Sequence, residues 1–253
     1  MRRRACWHGP AAISAGAVAR PMPLSMLSVI VPVWNEAAVI EAALRRLAPY
    51  REQGAELIVV DGGSSDATVA RARPLADLAL RSARGRAAQM NAGAQQARGT
   101  ALLFLHADTV LPTAAGEMVV AALAHHHWGR FDVTIEGAHP MLRVVAALMN
   151  LRSRLTGIAT GDQAIFVRRQ AFAAVGGYAA QPLMEDIELC KRLKRIGPPA
   201  SLYARVVTSG RRWEKHGVWR TIFLMWRLRL AYFCGADPRR LARIYHGHAN
   251  DQA

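Results

Sequence analysis

The chain has 253 residues, 52% of them hydrophobic and 7% aromatic, with 33 Lys and Arg against 18 acids and a net charge of +15. That size and apolar content support a full α/β core, and the charge favours anionic partners such as nucleotides or phospholipid head groups, with a compositional preference for Arg and Ala contributing to it. Three scattered cysteines without a C-x-x-C pair (Cys6, Cys190, Cys234) exclude a zinc ribbon and a disulfide framework and fit a reducing, cytoplasmic setting, while no apolar run of 18 residues is present to cross a membrane as a helix.

Residues 1–26 begin M-R-R-R and run through Gly, Ala and Pro. They are too sparsely apolar for a signal peptide and read as an extension outside the fold, or as an upstream start with Met22 or Met26 as the functional one. From Leu27 short apolar runs alternate with helical patterns, which predicts βαβ units and a mainly parallel sheet. Leu27 to Val33 is the first strand, Glu36 to Leu47 the helix after it, and Glu56 to Val60 the second strand. Asp66 to Ala72 is a short helix capped by Ser64, Ser65 or Asp66, and Leu78 to Leu80 a short third strand. Arg86 to Ala97 is helical, Ala101 to Leu105 is the fourth strand and Thr113 to His125 a further helix. Phe131 to Ile135 alternates polar and apolar residues, the pattern of a half-exposed strand. Met141 to Leu155 is an apolar-spaced helix carrying Arg143, Arg152 and Arg154. Ala164 to Val167 is strand-like, Glu185 to Ile196 is a helix stopped by Gly197-Pro198-Pro199, and Leu202 to Val207 is the last strand. The domain is therefore expected over residues 27–212, with residues 213–253 as a separate amphipathic helical segment.

Two acids end two of these strands. Asp61 opens D-G-G-S-S-D-A-T, and Asp108 ends H-A-D. Ligands of open α/β sheets bind outside the carboxyl ends of the strands, and a diphosphate with its metal needs hard oxygen ligands there. The bland alternatives are real: D-G is a common turn pair, and Asn35-Glu36 and Glu185-Asp186 suit helix starts. Arg86, Gln89 and Asn91 do not share one narrow helix face, yet Arg86 at a helix start can reach a phosphate. His125, His126 and His127 are adjacent, so they cannot face one ion together. No G-x-G-x-x-G after a strand and no P-loop is present, which disfavours a dinucleotide oxidoreductase or an ATPase.

S-V-I-V-P-V-W-N-E (Ser28 to Glu36), V-V-D-G-G-S-S-D-A-T (Val59 to Thr68), F-L-H-A-D-T (Phe104 to Thr109) and G-G-Y…M-E-D-I-E-L (Gly176 to Leu189) follow the order seen in family 2 glycosyltransferases. Over residues 27–207 the chain resembles that family, within it most nearly a bacterial subgroup associated with arsenosugar biosynthesis. The resemblance implies a GT-A fold, a Rossmann-like mixed sheet flanked by helices, and an inverting transfer from a nucleotide-diphosphate sugar. It places Pro32, Asn35, Glu36, Asp61, Gly62, Arg86, Asn91, His106 and Asp108 around the donor, with Mg²⁺ or Mn²⁺ on Asp108. Asp186 becomes the base, Glu185 aids acceptor binding, and Asp162 and Gln163 face the acceptor. His216, in W-E-K-H-G, falls where enzymes of this fold place a late metal-binding histidine. One departure stands out: the family's D-x-D is His106-Ala107-Asp108 here, so the first acid is missing.

Val218 to Phe233 is apolar and aromatic, broken by Arg220, Arg227 and Arg229. It suits a helix in a membrane interface or a helix packed on the domain, so localisation is expected as cytoplasmic or peripheral on the inner face of the plasma membrane. The acceptor is a hydroxyl or phosphate, lipid-linked (a polyprenyl phosphate) or a small soluble alcohol. Two other functions compete: a non-catalytic nucleotide-sugar-binding or membrane-surface protein, for which His106 is the main argument, and a sugar nucleotidyltransferase, for which the pyrophosphate loop is lacking. Nucleic acid is not expected as a partner, because the arginines are dispersed and no binding motif is present.

Overall fold

A computed structural model describes residues 23–250; the expectations for residues 1–22 lie outside them. The elements in chain order are β1 (Leu27–Val33), α1 (Ile40–Glu52), β2 (Glu56–Asp61), α2 (Thr68–Ala72), β3 (Leu78–Arg81), α3 (Arg86–Gln96), β4 (Ala101–Phe104), β5 (Thr109–Val110), α4 (Ala115–His125), β6 (Trp128–Glu136), α5 (Met141–Thr156), β7 (Phe166–Arg168), α6 (Arg169–Ala174), α7 (Glu185–Leu193), β8 (Ala200–Ser209), α8 (Arg211–His216), α9 (Val218–Phe233) and α10 (Pro238–Asn250). The ordered fold reaches back past Leu27: Leu24–Met26 forms a single 3₁₀ turn, and Leu24 is buried.

The strands form one eight-stranded sheet in the order β3-β2-β1-β4-β7-β6-β8-β5. β3, β2, β1 and β4 are parallel, as are β6 and β8, whereas β7 runs antiparallel to both β4 and β6, and β5 antiparallel to β8. The parallel strands are buried on both faces, which is why β1, β2 and β4 are near-continuous apolar runs. Leu27, Val29, Val31 and Val33 pack into one core layer with α1, α4 and α5, and Ile30 points to the opposite layer with α3, α6 and α7.

Three sequence expectations change. The helix expected from Glu36 starts instead at Ile40, because the backbone of Glu36 and Ala37 is drawn into the neighbouring loop: Glu36 N–H donates to Thr68 Oγ1 at 2.8 Å and Ala37 N–H to Asp66 Oδ2 at 3.1 Å. β6 is not half-exposed. Phe131, Val133 and Ile135 enter the core below it, and its polar face is also buried, with Arg130 1% and Asp132 6% exposed. Asp132 neutralises that face by ion pairs to Arg130 and to Arg154, the latter at 2.7 Å. Ala164 is not a strand residue; it takes a left-handed conformation after the 3₁₀ turn Gly161–Gln163, and β7 begins at Phe166. In the tail, Val218 and Ile222 of α9 join the first core layer, and Leu228 of α9 and Leu241 of α10 the second.

Asp132 is the only acid in contact with the fully buried Arg130 guanidinium among the described residues, whose Nε and Nη2 already lack partners. Removing one member of a buried pair leaves an uncompensated charge, at a cost of about 3–5 kcal/mol. Asp132→Ala is expected to lower stability by about that amount in urea unfolding, and Asp132→Asn by less because it keeps an acceptor; equal stability of Asp132→Ala and the parent would contradict the ion-pair account.

Candidate functional site

The site lies beyond the carboxyl ends of β1, β2 and β4. Two loops there are stitched together. Asn35, in a left-handed conformation (φ 52°), receives Ser65 N–H on its Oδ1 at 2.9 Å, while its own N–H donates to Ser64 Oγ at 2.8 Å. Below them the Gln89 amide donates to both Val33 O and Val60 O at 2.8 Å, joining the ends of β1 and β2. A Cβ on Gly62 would press on that amide at 3.1 Å, so glycine fits the close approach.

Asp61 is 3% exposed. Its carboxylate accepts from Gly63 N–H and Ser64 N–H and lies 3.5 Å from Arg81 Nε. The aspartate thus folds its own turn, the structural role that a D-G pair also suggests. Asn91 is likewise committed: its side chain both donates to Tyr178 O and accepts from Tyr178 N–H at 2.9 Å, tying α3 to the Gly177-Tyr178 segment. Gln163 is fully buried, accepting Thr160 N–H and donating to Phe131 O, so it braces the 3₁₀ turn. Pro32 is half-buried within β1, in register with Val60.

The crevice gathers the remaining residues. Burial raises the Glu36 carboxyl above its ordinary value and the Asp108 charge adds to this, with Arg211 and Arg86 opposing and Asp66 adding less. Glu36 and Asp108 are therefore electrostatic neighbours. Asp108 sits in the turn from β4 to β5, closed by Thr109 N–H to His106 O at 3.0 Å. Arg86 opens α3 after Gly85 (φ 130°) and keeps solvent contact. Partial loss of solvent around its guanidinium works against the charge, but Glu185, Tyr245, Asp162 and Asp186 together raise its pKa. The Arg86 charge is thus felt by Glu36 and is itself favoured by Glu185, Asp162 and Asp186.

α7 starts with Glu185 and Asp186 after Met184, which is held left-handed (φ 64°). Asp186 Oδ2 accepts Gly161 N–H at 3.0 Å and Oδ1 accepts Ile187 N–H at 2.7 Å. Burial pushes the Asp186 carboxyl up to about 6, Glu185 adds to the rise, and the two amide bonds and Arg86 limit it. His106 Nδ1 lies 3.5 Å from Asp162 Oδ1, and its ring fills the space where a Gly161 Cβ would project, at 2.6 Å. His216 ends α8 and belongs to no group of three potential metal ligands among the described residues; none exists there. The donor set nonetheless fits a hard divalent cation: Asp108 with Glu36 beside it offers carboxylate oxygens, and Mg²⁺ or Mn²⁺ needs only one or two of these when phosphate oxygens and waters complete its shell. Sequence reasoning missed Arg211, which α8 brings to Glu36; a six-residue helix is too short to show a period.

The family model described as Glycosyl transferase family 2 matches residues 28–173. A PGL/p-HBAD biosynthesis glycosyltransferase of Mycobacterium tuberculosis is 35% identical over 170 residues, covering 62% of this chain and 64% of the relative. An undecaprenyl-phosphate 4-deoxy-4-formamido-L-arabinose transferase of Pseudomonas fluorescens is 30% identical over 166 residues, 59% of this chain and 48% of the relative. The chain thus matches less than two thirds of the length of these curated relatives. Among solved structures, the mannosyltransferase PcManGT of Pyrobaculum calidifontis, in complex with GDP-Man and Mn²⁺, superposes with a TM-score of 0.62 at 22% identity, over 88% of this chain and 69% of that one. Glucosyl-3-phosphoglycerate synthase of Mycobacterium tuberculosis, with Mn²⁺, UDP and glucosyl-3-phosphoglycerate, gives 0.56 at 18% identity, over 79% and 77%. At these identities the structures share the fold.

Carboxyl titration by carbon-13 NMR is expected to show an Asp186 midpoint near the value of about 6. In Glu185→Gln that midpoint is expected to move down, since the like charge that favours protonation is gone; an unchanged midpoint would disprove the coupling.

Proposed function

The chain belongs to glycosyltransferase family 2, and from that premise we propose that it moves a sugar from a nucleoside-diphosphate sugar to an acceptor hydroxyl or phosphate, with inversion at the anomeric carbon. The observation that supports this reading is Arg86, which opens α3 and is coupled by charge to Glu36 and to Glu185 and Asp186. A guanidinium at a helix start suits a diphosphate. The stitched Asn35 and Gly62 loops hold the nucleoside over Pro32, with Asp61 fixing the turn. Asp108, with His216 as a second candidate ligand, would hold a divalent cation, which would supply charge neutralisation for the departing diphosphate, a contribution of roughly several kcal/mol.

Asp186 acts as the base. Each of its oxygens accepts one backbone N–H, which fixes the carboxylate and leaves lone pairs for an acceptor proton. As the acceptor oxygen bonds to the anomeric carbon, the bond from that carbon to the diphosphate breaks and the acceptor proton passes to Asp186. A base with a raised pKa abstracts a proton more readily near neutral pH than an ordinary aspartate. Glu185 and Asp162 border the acceptor side, and His106 lies beside Asp162. The Pseudomonas relative, named as an undecaprenyl-phosphate transferase, supports a lipid-linked acceptor. The relatives' names do not bear on the arsenosugar-associated subgroup.

Nucleoside diphosphate release across a panel of UDP- and GDP-sugars tests the reading. Asp108→Ala is expected to lose turnover together with cation-dependent donor binding in calorimetry. Asp186→Asn is expected to keep donor binding while kcat falls about 10²- to 10⁴-fold. In the parent kcat/KM should fall as pH drops through the Asp186 value of about 6, because only the ionised carboxylate accepts the proton. Transfer by Asp186→Asn at the parental rate would remove it as the base.

A further inference from the structure

Two helices leave a stripe of large apolar side chains in solvent. α5 buries Leu142, Val145, Ala146 and Asn150. Its Val144, Leu148, Leu151 and Leu155 are 45%, 50%, 53% and 77% exposed. α9 buries Val218, Ile222 and Leu228, and its Trp219, Phe223, Trp226, Leu230 and Phe233 are 55% to 68% exposed. Spacings of three and four keep each set on one helix face. Scattered exposed apolar residues are normal, but grouped ones mark an interaction surface.

The helices begin side by side. Ala138 N–H, just before α5, donates to Glu214 Oε1 at 2.7 Å. Ala138, His139 and Pro140 on one side and Glu214, Gly217 and Val218 on the other line an open cavity of about 520 Å³. The first halves of both helices cover the same core layer, so Val144 and Leu148 of α5 and Trp219 and Phe223 of α9 lie on its outer side, while the second half of α9 runs on over the other layer.

We propose that the α5 and α9 stripes form one docking surface for the head-group interface of an anionic bilayer. Charge selects the occupant. Neither helix contains an Asp or Glu, and Arg143, Arg220 and Arg227 are exposed beside the stripes. A second copy of the chain would bring these arginines against their own kind, whereas anionic head groups neutralise them. The chemistry of the stripes agrees: Trp and Phe prefer the interfacial layer, and apolar helices with basic flanks lie in its plane. Each helix has 16 residues, about 24 Å of length. Among the described residues no helix is long and apolar enough to cross a membrane. The proposal adds α5 to the segment that the sequence singled out, and it concerns a partner of the surface rather than the transfer step.

Co-sedimentation of the full chain with vesicles, in the absence of any nucleotide or acceptor, separates this proposal from the catalytic one. Vesicles of phosphatidylcholine with phosphatidylglycerol are expected to bind the protein more tightly than phosphatidylcholine alone, and added salt should weaken the binding. Leu148→Gln with Leu151→Gln on α5, and Phe223→Gln with Trp226→Gln on α9, should each weaken it about tenfold or more. These positions are exposed, so thermal unfolding should stay near the parent's. Replacing Arg143, Arg220 and Arg227 by Gln, which leaves both stripes intact, should abolish the preference for anionic vesicles. The proposal is overturned by a parent that fails to bind, by an α5 variant that binds as the parent does, or by sedimentation equilibrium showing a dimer that the same substitutions dissolve.

Discussion

One side-chain amide holds the crevice together. Gln89 is 4% exposed and donates its two N–H groups to Val33 O and Val60 O, the last carbonyls before the β1 and β2 chains diverge. Val33 O also accepts Gly62 N–H at 2.9 Å, so at this strand end a backbone bond and the amide bond act together. Paired, the two carbonyls fix the separation of the two strand ends, and the loops that follow fold back on each other through Asn35, Ser64, Ser65, Asp66 and Thr68. The consequence for chemistry is the placement of Glu36. Its backbone is tied to Thr68, so its carboxyl is turned toward Asp108 from the other loop.

Asp132 and Asp186 differ in their partners. Asp132 touches two guanidiniums, Arg130 and Arg154, and serves to let a polar strand face enter the interior. Asp186 is oriented by backbone amides, with the Arg86 charge acting at longer range, and burial beside Glu185 raises its pKa. A contact ion pair would have pulled a carboxyl down and made it a poor base. The difference is the physical ground for giving Asp186 a chemical role and Asp132 a structural one.

The parallel strands were legible because burial on both faces writes itself as an uninterrupted apolar run, as in Leu57 to Val60. β6 misled for the same reason in reverse: Arg130 and Asp132 alternate with apolar residues as solvent-facing residues would, and only tertiary contact with Arg154 shows that they are paired and buried. The anchoring of Asn91 and Gln163 was not legible because their partners are distant in the chain, 87 residues away at Tyr178 for the first and 32 away at Phe131 for the second. Polar side chains near a motif advertise chemistry, yet a buried amide that satisfies remote backbone is equally polar. The exposed α5 stripe was hidden by the opposite ambiguity, since apolar residues at helical spacing say that a helix has faces and not which of them finds a partner.

The missing first acid of the D-x-D pattern acquires a reason from these contacts. His106 lies 3.5 Å from Asp162, and its ring occupies the space over Gly161, whose N–H holds Asp186. Acids already dominate here: Arg86 interacts with Glu36, Asp162, Glu185 and Asp186, and Asp108 adds its charge beside Glu36. A carboxylate at position 106 would face Asp162 directly and repel it, loosening the turn that carries Gly161 and with it the amide that orients Asp186. An imidazole fills the same space and can donate to Asp162. Position 106 in this chain therefore reaches Asp186 through one short path, His106 to Asp162 and Gly161, and Gly161 to Asp186, which an acid there would break.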